Sequence, residues 1–451
     1  MQQVPPSLFN FDRRRRNAGY LRSDLGMELA LDFPCRCPRC GKRIFKMHSN
    51  WKTTKLLGVM IIANFLIYFL VEVARNHGHN DHNDHSNHRQ RKNTRKEFWQ
   101  KPGATTAIWN RQQQRLDDIY FLPLTNGSES VHNFPGIPNW MNTSHVGSCQ
   151  PDTTVITQIK DFNLLPQRFK DFLLYMGCRS FPLITKAPNV CSKAPFLLLA
   201  IKSIAPHFDR RQAIRESWGR AGLLDNRRIA TVFLLGNTSA TDHFPDLSDM
   251  VRHEAALHGD VLQWDYRDSF FNLTLKEVLF LEWFATNCSS AQFVFKGDDD
   301  VFVNTRHLLN YLGNLTASST KDLFIGDVIT NAGPHRDKKL KYYIPESVFV
   351  GVYPPYAGGG GYLYSRNLGL RLRAISQLVT LFPIDDVYTG MCLRRLGLVP
   401  EKHGGFKTFG IEEKNKDNIC AHKSLMLVHP RSPQEMINIW FGINDPKTQC
   451  E

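Results

Sequence analysis

Three adjacent acids, Asp298, Asp299 and Asp300, lie between two apolar stretches in the segment 293–304. The flanking residues are rich in Phe and Val, which is typical of buried strands, so we expect the acids at a strand end. Adjacent carboxylates repel one another unless a cation neutralises them, and hard oxygen ligands suit Mg²⁺ or Mn²⁺. A solvated acidic turn is the alternative. We favour a metal site that holds a nucleotide diphosphate, because open α/β sheets bind ligands at the carboxyl ends of their strands.

Two further segments carry residues that could do chemistry. Asp385 and Asp386 lie where an apolar helix is expected to begin. Acids at that position can also have the structural role of a helix cap, which the helix dipole favours. His429 follows four apolar residues, a pattern typical of a strand end. A histidine there can serve as a ligand, or it can be an ordinary buried side chain.

Glycines and basic residues complete the set of candidates. Gly358 to Gly361 form a run of four, which predicts a bare loop whose amides approach a sugar or phosphate, although flexible turns have the same composition. Lys202, Arg210 and Arg215 fall at the end of the first predicted strand and in the helix that follows. These cations could face substrate hydroxyls or a diphosphate, or have structural roles.

The elements that must position these residues alternate between strand and helix from Pro195 onward. The patterns predict strands at 196–204 and 228–235 and from 261, and helices at 210–219, 246–258 and 274–287. Thr274 and Glu277 have the spacing of a capping box at the start of the last helix. Alternation of this kind favours an α/β fold with a largely parallel sheet covered by helices.

The N-terminal part predicts a membrane anchor. Residues 56–74 are almost entirely apolar and about long enough to span a bilayer, with no cleavage pattern after them. Residues 1–55 carry 12 Lys or Arg against 4 Asp or Glu, which accounts for more than half of the net charge of +14. The positive-inside rule therefore predicts a basic cytosolic tail and a type II orientation. The run Arg13 to Arg16 could be a nucleic-acid patch, but beside an anchor we expect no nucleic-acid partner.

Beyond the anchor, composition separates three regions. Residues 75–97 contain many His, Asn and Asp and almost nothing apolar, which predicts a disordered stalk; weak metal binding by its histidines is the alternative. We expect an accessory lumenal region at 98–194 and a catalytic domain at 195–451.

Seven cysteines after the anchor allow three disulfides and one thiol, and the sequence leaves their pairing open. Six glycosylation sequons occur there and none before, at Asn126, Asn142, Asn237, Asn272, Asn287 and Asn314.

Five segments, taken in order and spacing, resemble a known family. They are Arg-Arg-Gln-Ala-Ile-Arg-Glu-Ser-Trp-Gly at 210–219, residues 264–276, Phe-Lys-Gly-Asp-Asp-Asp-Val-Phe-Val-Asn at 295–304, residues 353–365 and residues 385–397. The resemblance is to inverting β1,3-glycosyltransferases that act on UDP-sugars in the Golgi, most closely the N-acetylglucosaminyl branch, and it runs from about Phe98 to the C-terminus. It implies a GT-A type nucleotide-sugar transferase fold, a Rossmann-like mixed sheet flanked by helices, after a single transmembrane anchor.

The resemblance also implies roles for the donor side of the site. Asp300 falls where the family binds Mn²⁺ or Mg²⁺, and His429 falls where such folds often supply a further metal or phosphate contact. Asp298 and Asp299 are implied to hold the ribose and the donor sugar. Three glycines and two arginines are the remaining donor-site candidates: Gly359, Gly360, Gly361, Arg210 and Arg215.

On the acceptor side, the family pattern assigns Asp386 to catalysis. Attack by an alcohol on an anomeric carbon with inversion needs one carboxylate to take the hydroxyl proton, and the metal stabilises the leaving UDP. Lys202 and Asp385 are the candidates for acceptor binding. Asp385 retains the alternative of a helix cap.

The implied reaction moves N-acetylglucosamine from UDP-GlcNAc to the 3-hydroxyl of a terminal galactose on N-acetyllactosamine chains of glycoproteins or glycolipids. The implied location is the Golgi membrane, with a lumenal catalytic domain and association with itself or with other glycosyltransferases. One alternative is a β1,3-galactosyltransferase, because sugar choice depends on pocket shape. The other is an inactive, membrane-anchored sugar-binding protein, against which the intact acids argue.

Overall fold

The computed structural model describes residues 107–120, 149–237 and 246–450, with side chains omitted for 118–120. The predicted tail, anchor and stalk lie outside the described residues, as do the sequons Asn126 and Asn142. Within the described ranges, no helix has the length and apolar character needed to cross a bilayer.

Strands form two sheets. Their bounds are β1 (Leu183–Thr185), β2 (Leu197–Lys202), β3 (Gly222–Leu224), β4 (Arg227–Asn237), β5 (Val261–Arg267), β6 (Phe293–Asp298), β7 (Phe302–Val303), β8 (Phe324–Ile329), β9 (Tyr356–Ser365), β10 (Glu401–Lys402), β11 (Phe406–Lys407) and β12 (Leu427–Val428). The main sheet has the order β1-β5-β4-β2-β6-β9-β8-β10, with β3 paired to β4. The small sheet has the order β11-β12-β7.

Helices cover the main sheet. Their bounds are α1 (Ile108–Tyr120), α2 (Thr154–Gln158), α3 (Gln167–Tyr175), α4 (Phe208–Glu216), α5 (Ser248–His258), α6 (Leu273–Asn287), α7 (Thr305–Gly313), α8 (Ala317–Thr320), α9 (Arg366–Ser376), α10 (Asp385–Arg395), α11 (Ile419–Lys423) and α12 (Pro433–Asn444). The fold is therefore a mixed α/β arrangement with a central sheet and flanking helices.

The centre of the main sheet is parallel and buried. Strands β5, β4, β2 and β6 run parallel, and all six residues of β2 are buried. Continuous apolar strands of this kind follow from burial on both faces, where two separate hydrophobic clusters pack. Strand β9 then runs antiparallel to both β6 and β8, so the sheet is mixed.

The predicted alternation of strand and helix is confirmed, with boundaries shifted by a few residues. The predicted strand at 196–204 is β2, the predicted helix at 210–219 is α4, and the acidic triplet follows β6 as expected. The capping box at α6 is wrong. The Thr274 hydroxyl donates to Phe382 O, and the Glu277 carboxylate pairs with Lys296, because these buried polar groups need partners in the interior.

The predicted accessory region shares a core with the rest of the fold. Trp109 of α1 is fully buried, and its ring packs edge-on against Phe349 and Phe382. The described cysteines form three disulfides, Cys149–Cys178, Cys191–Cys288 and Cys420–Cys450, and leave Cys392 as a buried free thiol. The expected count of three disulfides and one thiol is therefore confirmed for the described residues.

Candidate functional site

The candidate site lies at a switch point of the main sheet. From β2 the chain moves to β4 and β5 on one side, and then returns to β6 on the other side of β2. Ligands of open α/β sheets bind in the crevice at such a point, beyond the carboxyl ends of the strands. Lys202 at the end of β2 and Asp298 at the end of β6 are register partners, so both side chains reach this crevice.

A buried lysine joins the two acidic segments. Lys202 Nζ lies 3.0 Å from Asp298 Oδ1 and 2.7 Å from Asp385 Oδ2. Burial opposes the charge of Lys202, but the neighbouring carboxylates outweigh it and raise the pKa of this ammonium well above its usual value. Lys202 and Asp385, the two predicted acceptor contacts, are therefore ion-paired to each other in this structure.

Asp299 is held by protein groups on both carboxylate oxygens. Oδ2 accepts from Ser203 Oγ at 2.6 Å and faces His207 Nδ1 at 2.8 Å, and Oδ1 accepts from Arg210 Nη1 at 2.9 Å. Burial would raise the pKa of Asp299, but the bonds from His207, Ser203 and Arg210 lower it overall. Protein groups thus engage both carboxylate oxygens of Asp299, and its predicted role as a donor contact stays a prediction.

Ser203 and His207 are site residues that the sequence reasoning missed. Both follow β2 in the connection to α4, and only the pairing of β2 with β6 brings them to Asp299. Ser203 Oγ also accepts from the fully buried Arg211 at 3.0 Å. The sequence offered one hint, because a polar cluster directly after a buried strand is expected at the ligand-binding edge.

Asp300 and His429 face each other across the two sheets. Strand β12 pairs antiparallel with β7, which follows the acidic triplet, and this brings His429 Nε2 to 3.5 Å from Asp300 Oδ1. Arg210 Nη1 lies 3.3 Å from Asp300 Oδ2. The side chains of Asp300 and His429 are each about 30% exposed, so both can be reached from the crevice.

The tautomer of His429 suits a metal ligand. Its Nδ1 lies 2.7 Å from the carbonyl oxygen of Thr408, which can only accept, so Nδ1 carries the proton. Nε2 then faces Asp300 and is the ring nitrogen that would bind a metal. A backbone carbonyl that fixes the second ring nitrogen is a common feature of metal-bound histidines.

These two residues fit a divalent cation that also binds a diphosphate. Among the described residues, no group of three or more His, Cys, Asp or Glu could hold a metal ion. Mg²⁺ and Mn²⁺ at nucleotide sites are commonly bound by one or two protein ligands, with substrate phosphates and water completing the shell. The donor set of one carboxylate and one imidazole meets that requirement.

Asp385 and Asp386 occupy the first turn of α10, where the N-cap is Ile384 and makes no side-chain cap bond. Neither acid is therefore the N-cap residue, although both lie in the first turn, where the helix dipole favours acids. Burial would raise the pKa of Asp385, but Lys202 lowers it overall. Burial and then the neighbouring Asp385 charge raise the pKa of Asp386 well above its usual value. Asp386 Oδ1 is buried and has no hydrogen-bond partner among the described residues.

The glycine run is part of strand β9 and is not a loop, so that prediction is corrected. A Cβ on Gly359 would lie 2.6 Å from Asp386 Oδ2, and one on Gly360 would lie 3.1 Å from the Cβ of His429. Gly361 has a φ of +154°, and its added Cβ would lie 2.7 Å from Leu427. The glycines thus provide space for the two functional side chains on either side of one strand.

Arg215 is not brought to the acidic triplet. Its guanidinium donates to Asp260 at 2.8 Å and to Glu254 at 2.7 Å, and it lies over the ring of Phe233. Of the two predicted arginines, only Arg210 contacts site residues.

Asp298 lies in the crevice as predicted, and burial raises its pKa more than Lys202 lowers it.

Two tyrosines lie near Asp386 and were not predicted as site residues. Burial raises the pKa of Tyr356 to about 12, with further contributions from the charge of Asp386 and from Tyr342. Burial and then Asp386 likewise raise the pKa of Tyr342. Both side chains retain partial exposure, so they offer aromatic surfaces beside the acid.

The asparagines of the four described sequons differ in their exposure to solvent. Asn287 and Asn314 are exposed. Asn237 Nδ2 donates to Asp265 at 2.9 Å, and Asn272 Nδ2 donates to Arg267 O at 2.8 Å, and both residues are half-buried. Glycosylation at any of these positions stays a prediction.

Comparison with known proteins agrees with this geometry. A family model described as Galactosyltransferase matches residues 209–403, which include the acidic triplet, the glycine strand and the acids of α10. The chain is 57% identical to N-acetyllactosaminide beta-1,3-N-acetylglucosaminyltransferase 2 of Mus musculus over 90% of this chain and 100% of the relative. It is 54% identical to the Homo sapiens protein of the same name, again over 90% of this chain and all of the relative. The chain belongs to the β-1,3-N-acetylglucosaminyltransferase family.

Two more distant matches are a further relative and a solved structure. UDP-GlcNAc:betaGal beta-1,3-N-acetylglucosaminyltransferase 7 of Rattus norvegicus is 44% identical over 62% of this chain and 72% of its own length. Among solved structures, the WbbM bifunctional glycosytransferase apo structure aligns with a TM-score of 0.32 at 11% identity, covering 56% of this chain and 50% of that one. That likeness is too low to support an argument. As a member of the β-1,3-N-acetylglucosaminyltransferase family, the protein is a glycosyltransferase.

Proposed function

We propose that this glycosyltransferase moves N-acetylglucosamine from UDP-GlcNAc to the 3-hydroxyl of a terminal galactose on N-acetyllactosamine chains, and so extends poly-N-acetyllactosamine. The proposal combines the names of the relatives that match over nine-tenths of the chain with the arrangement of the crevice. The fold it rests on is the GT-A type. One observation carries it furthest. Asp386, whose buried Oδ1 has no hydrogen-bond partner within the described ranges, packs against the same glycine strand as His429, which faces Asp300.

Asp386 is the general base of this proposal. Inversion at the anomeric carbon in a single displacement requires a carboxylate that removes the proton of the attacking hydroxyl. The raised pKa of Asp386 brings its basicity closer to the operating pH, and its Oδ1 has no competing protein donor among the described residues. Asp385, held ionised by Lys202, repels the charge of Asp386 and so maintains that raised pKa.

Asp300 and His429 would hold Mn²⁺ or Mg²⁺ on the donor side. When bound, such an ion would neutralise the diphosphate and stabilise the UDP leaving group, so that no protein acid is required. Arg210 lies 3.3 Å from Asp300 and is fixed by Asp299, so its guanidinium can add positive charge beside the diphosphate. The bare strand at Gly359 and Gly360 lets Asp386 and His429 pack closely against it, which brings the proposed base and the proposed metal pair to neighbouring positions of one strand.

The remaining features of this proposal concern location and assembly. We place the protein in the Golgi membrane as a type II protein, with residues 56–74 as its anchor and the glycosylated catalytic domain in the lumen. Its substrates are then UDP-GlcNAc and galactose-terminated glycans on glycoproteins or glycolipids. Association with itself or with other glycosyltransferases is part of the same expectation.

A donor competition tests the proposal. The full-length protein in detergent is given N-acetyllactosamine with UDP-GlcNAc or UDP-galactose, with and without a chelator. Transfer from UDP-GlcNAc that is lost with chelator and restored by Mn²⁺ is the expected result. Transfer from UDP-galactose alone would establish the alternative of a galactosyltransferase, which the description of the matching family model favours. Acceptor binding without transfer from either donor would establish the inactive sugar-binding protein.

A further inference from the structure

A basic loop lies beside the proposed acceptor side of the crevice. We define the basic loop as residues 335–344, which contain four Lys or Arg and one Asp. Its two ends meet, because His335 and Tyr343 form a β-bridge and Ile344 N donates to His335 O at 2.9 Å. The loop therefore projects from a closed base.

Hydrogen bonds hold the basic loop in one shape. Asp337 Oδ1 accepts from Lys339 N at 2.9 Å, which is the bond of an Asx turn. Arg336 donates to Ile344 O at 2.6 Å and to Phe349 O at 2.9 Å, so its guanidinium fixes the base of the loop. Because these contacts order the backbone, the lysines that project from it need little further ordering when they bind a ligand.

Three lysines of the loop have no acidic partner. Lys338, Lys339 and Lys341 are exposed, and within the described part of the chain none of them forms an ion pair. Lys341 Nζ lies over the ring of Phe270 at 4.4 Å, which fixes the position of this ammonium. The loop thus presents positive charge that no acid of the described residues pairs with.

Aromatic residues connect the basic loop with α10, the helix whose first turn carries Asp386. The Tyr342 ring is 46% exposed and packs edge-on against Phe270, with ring centres 5.4 Å apart. At the base of the loop, the residue that Arg336 holds, Phe349, packs against the Tyr353 ring with centres 5.6 Å apart. Tyr353 in turn contacts Tyr356, which packs against Gly390 of α10.

We propose that the basic loop binds an anionic substituent, a sulfate ester or a carboxylate, on the acceptor glycan at a sugar beyond the reacting galactose. This inference rests on the proposed function, because it requires the acceptor to lie on the Asp386 side. The nucleotide diphosphate does not account for the lysines, since the proposed donor site has its own cation, Arg210, beside Asp300. The basic loop makes the enzyme select anionic acceptor chains over neutral ones.

The test uses the full-length protein with UDP-GlcNAc and three acceptors of equal length: neutral N-acetyllactosamine chains, sulfated chains and chains that carry a carboxylate on an internal sugar. The variant Lys338→Ser/Lys339→Ser removes two of the lysines. The control Lys193→Ser/Lys321→Ser removes the same charge from exposed positions elsewhere. The measured quantity is the ratio of kcat/KM for anionic over neutral acceptor, at low salt and at about 0.5 M salt.

We expect the wild type to favour at least one anionic acceptor by about two- to tenfold at low salt, because exposed charge pairs contribute modestly and are screened. The loop variant should lose that preference and keep its activity on the neutral chain, and the control should retain the preference. The arm that shows the preference identifies sulfate or carboxylate as the bound group.

Equal rates on all three acceptors, or a preference that survives in the loop variant, would overturn the inference and leave the proposed function standing. Transfer to none of the acceptors would overturn the proposed function and the inference together.

Discussion

Two acidic segments meet in the crevice, and each divides its acids in the same way. In the segment after β6, Asp299 is held by three protein groups, and Asp300 is directed toward the open side beside His429. In the segment that begins α10, Asp385 is held by Lys202, and Asp386 has a buried oxygen that no group in the described part of the chain contacts by a hydrogen bond.

The two available acids differ in their surroundings. Asp300 has cationic and imidazole neighbours and partial exposure, which suits binding of a cation and a diphosphate. Asp386 lies in a less polar position beside a like charge, which raises its pKa and suits proton transfer. Adjacent identical residues thus acquire distinct chemistry from the groups that surround them. Lys202 connects the two segments by pairing with one acid of each.

Among the substitutions considered, Asp386→Asn should reduce the transfer rate most. It retains the shape of the side chain and removes the base, so we expect kcat to fall by about 10²- to 10⁴-fold. Initial rates with UDP-GlcNAc and N-acetyllactosamine provide the measurement, with Asp249→Asn, an exposed acid, as the control. A variant with wild-type kcat would show that the proton is taken elsewhere.

On the metal side, Asp300→Asn and His429→Gln should each raise the Mn²⁺ concentration needed for half-maximal activity by at least about tenfold, because each removes a ligand or weakens its charge. Titration of chelator-stripped protein with MnCl₂ gives this value. The control is Asp209→Asn, an exposed acid next to Arg210. Unchanged metal dependence in both variants would contradict the assignment of the pair.

A methyl group on the glycine strand should disturb the base without changing its chemistry. In Gly359→Ala the new Cβ would lie 2.6 Å from Asp386 Oδ2, so the carboxylate must move. Since a displacement of about 1 Å can cost up to about 10²-fold, we expect kcat to fall by about 10- to 100-fold. Gly333→Ala is the matched control, because its Cβ would meet no atom within 4 Å. Equal activities of the two variants would show that this packing is unimportant.

The smallest expected effect is a shift of the pH profile. Because the base acts when deprotonated, a raised pKa makes kcat/KM fall at a higher pH than an ordinary aspartate would allow. In Asp385→Asn the repelling charge is gone and Lys202 is free to attract Asp386, so the acidic limb should move to lower pH. Profiles of kcat/KM against pH for the wild type and the variant test this, after thermal unfolding has shown that the variant is folded. A limb that moves upward would contradict the proposed coupling.

The sequence predicted the elements of this site better than their contacts. The end of β6 and the start of α10 were recognisable, because a buried strand and an apolar helix have clear patterns that end at acids. The partners of Asp299 were not recognisable. Ser203 and His207 follow a different strand, and their approach depends on sheet pairing between residues far apart in the chain.

Two predictions failed for the same physical reason. The glycine run resembles a loop in composition, but its lack of side chains serves close packing of Asp386 and His429 against a strand. Thr274 and Glu277 have the spacing of a capping box, but tertiary partners bind both side chains. Local patterns describe a segment without its tertiary contacts. In these two cases close packing and the need of buried polar groups for hydrogen-bond partners determined the structure.

The most direct test of the proposed division between the two acidic segments compares UDP binding with transfer in two variants. Calorimetric titration of Asp386→Asn with UDP and Mn²⁺ should give wild-type affinity despite the lost transfer, and Asp300→Asn should lose the part of the affinity that depends on Mn²⁺. If Asp386→Asn loses UDP binding as severely as Asp300→Asn, or if Asp300→Asn binds UDP with unchanged Mn²⁺ dependence, the separation of base and metal site is contradicted.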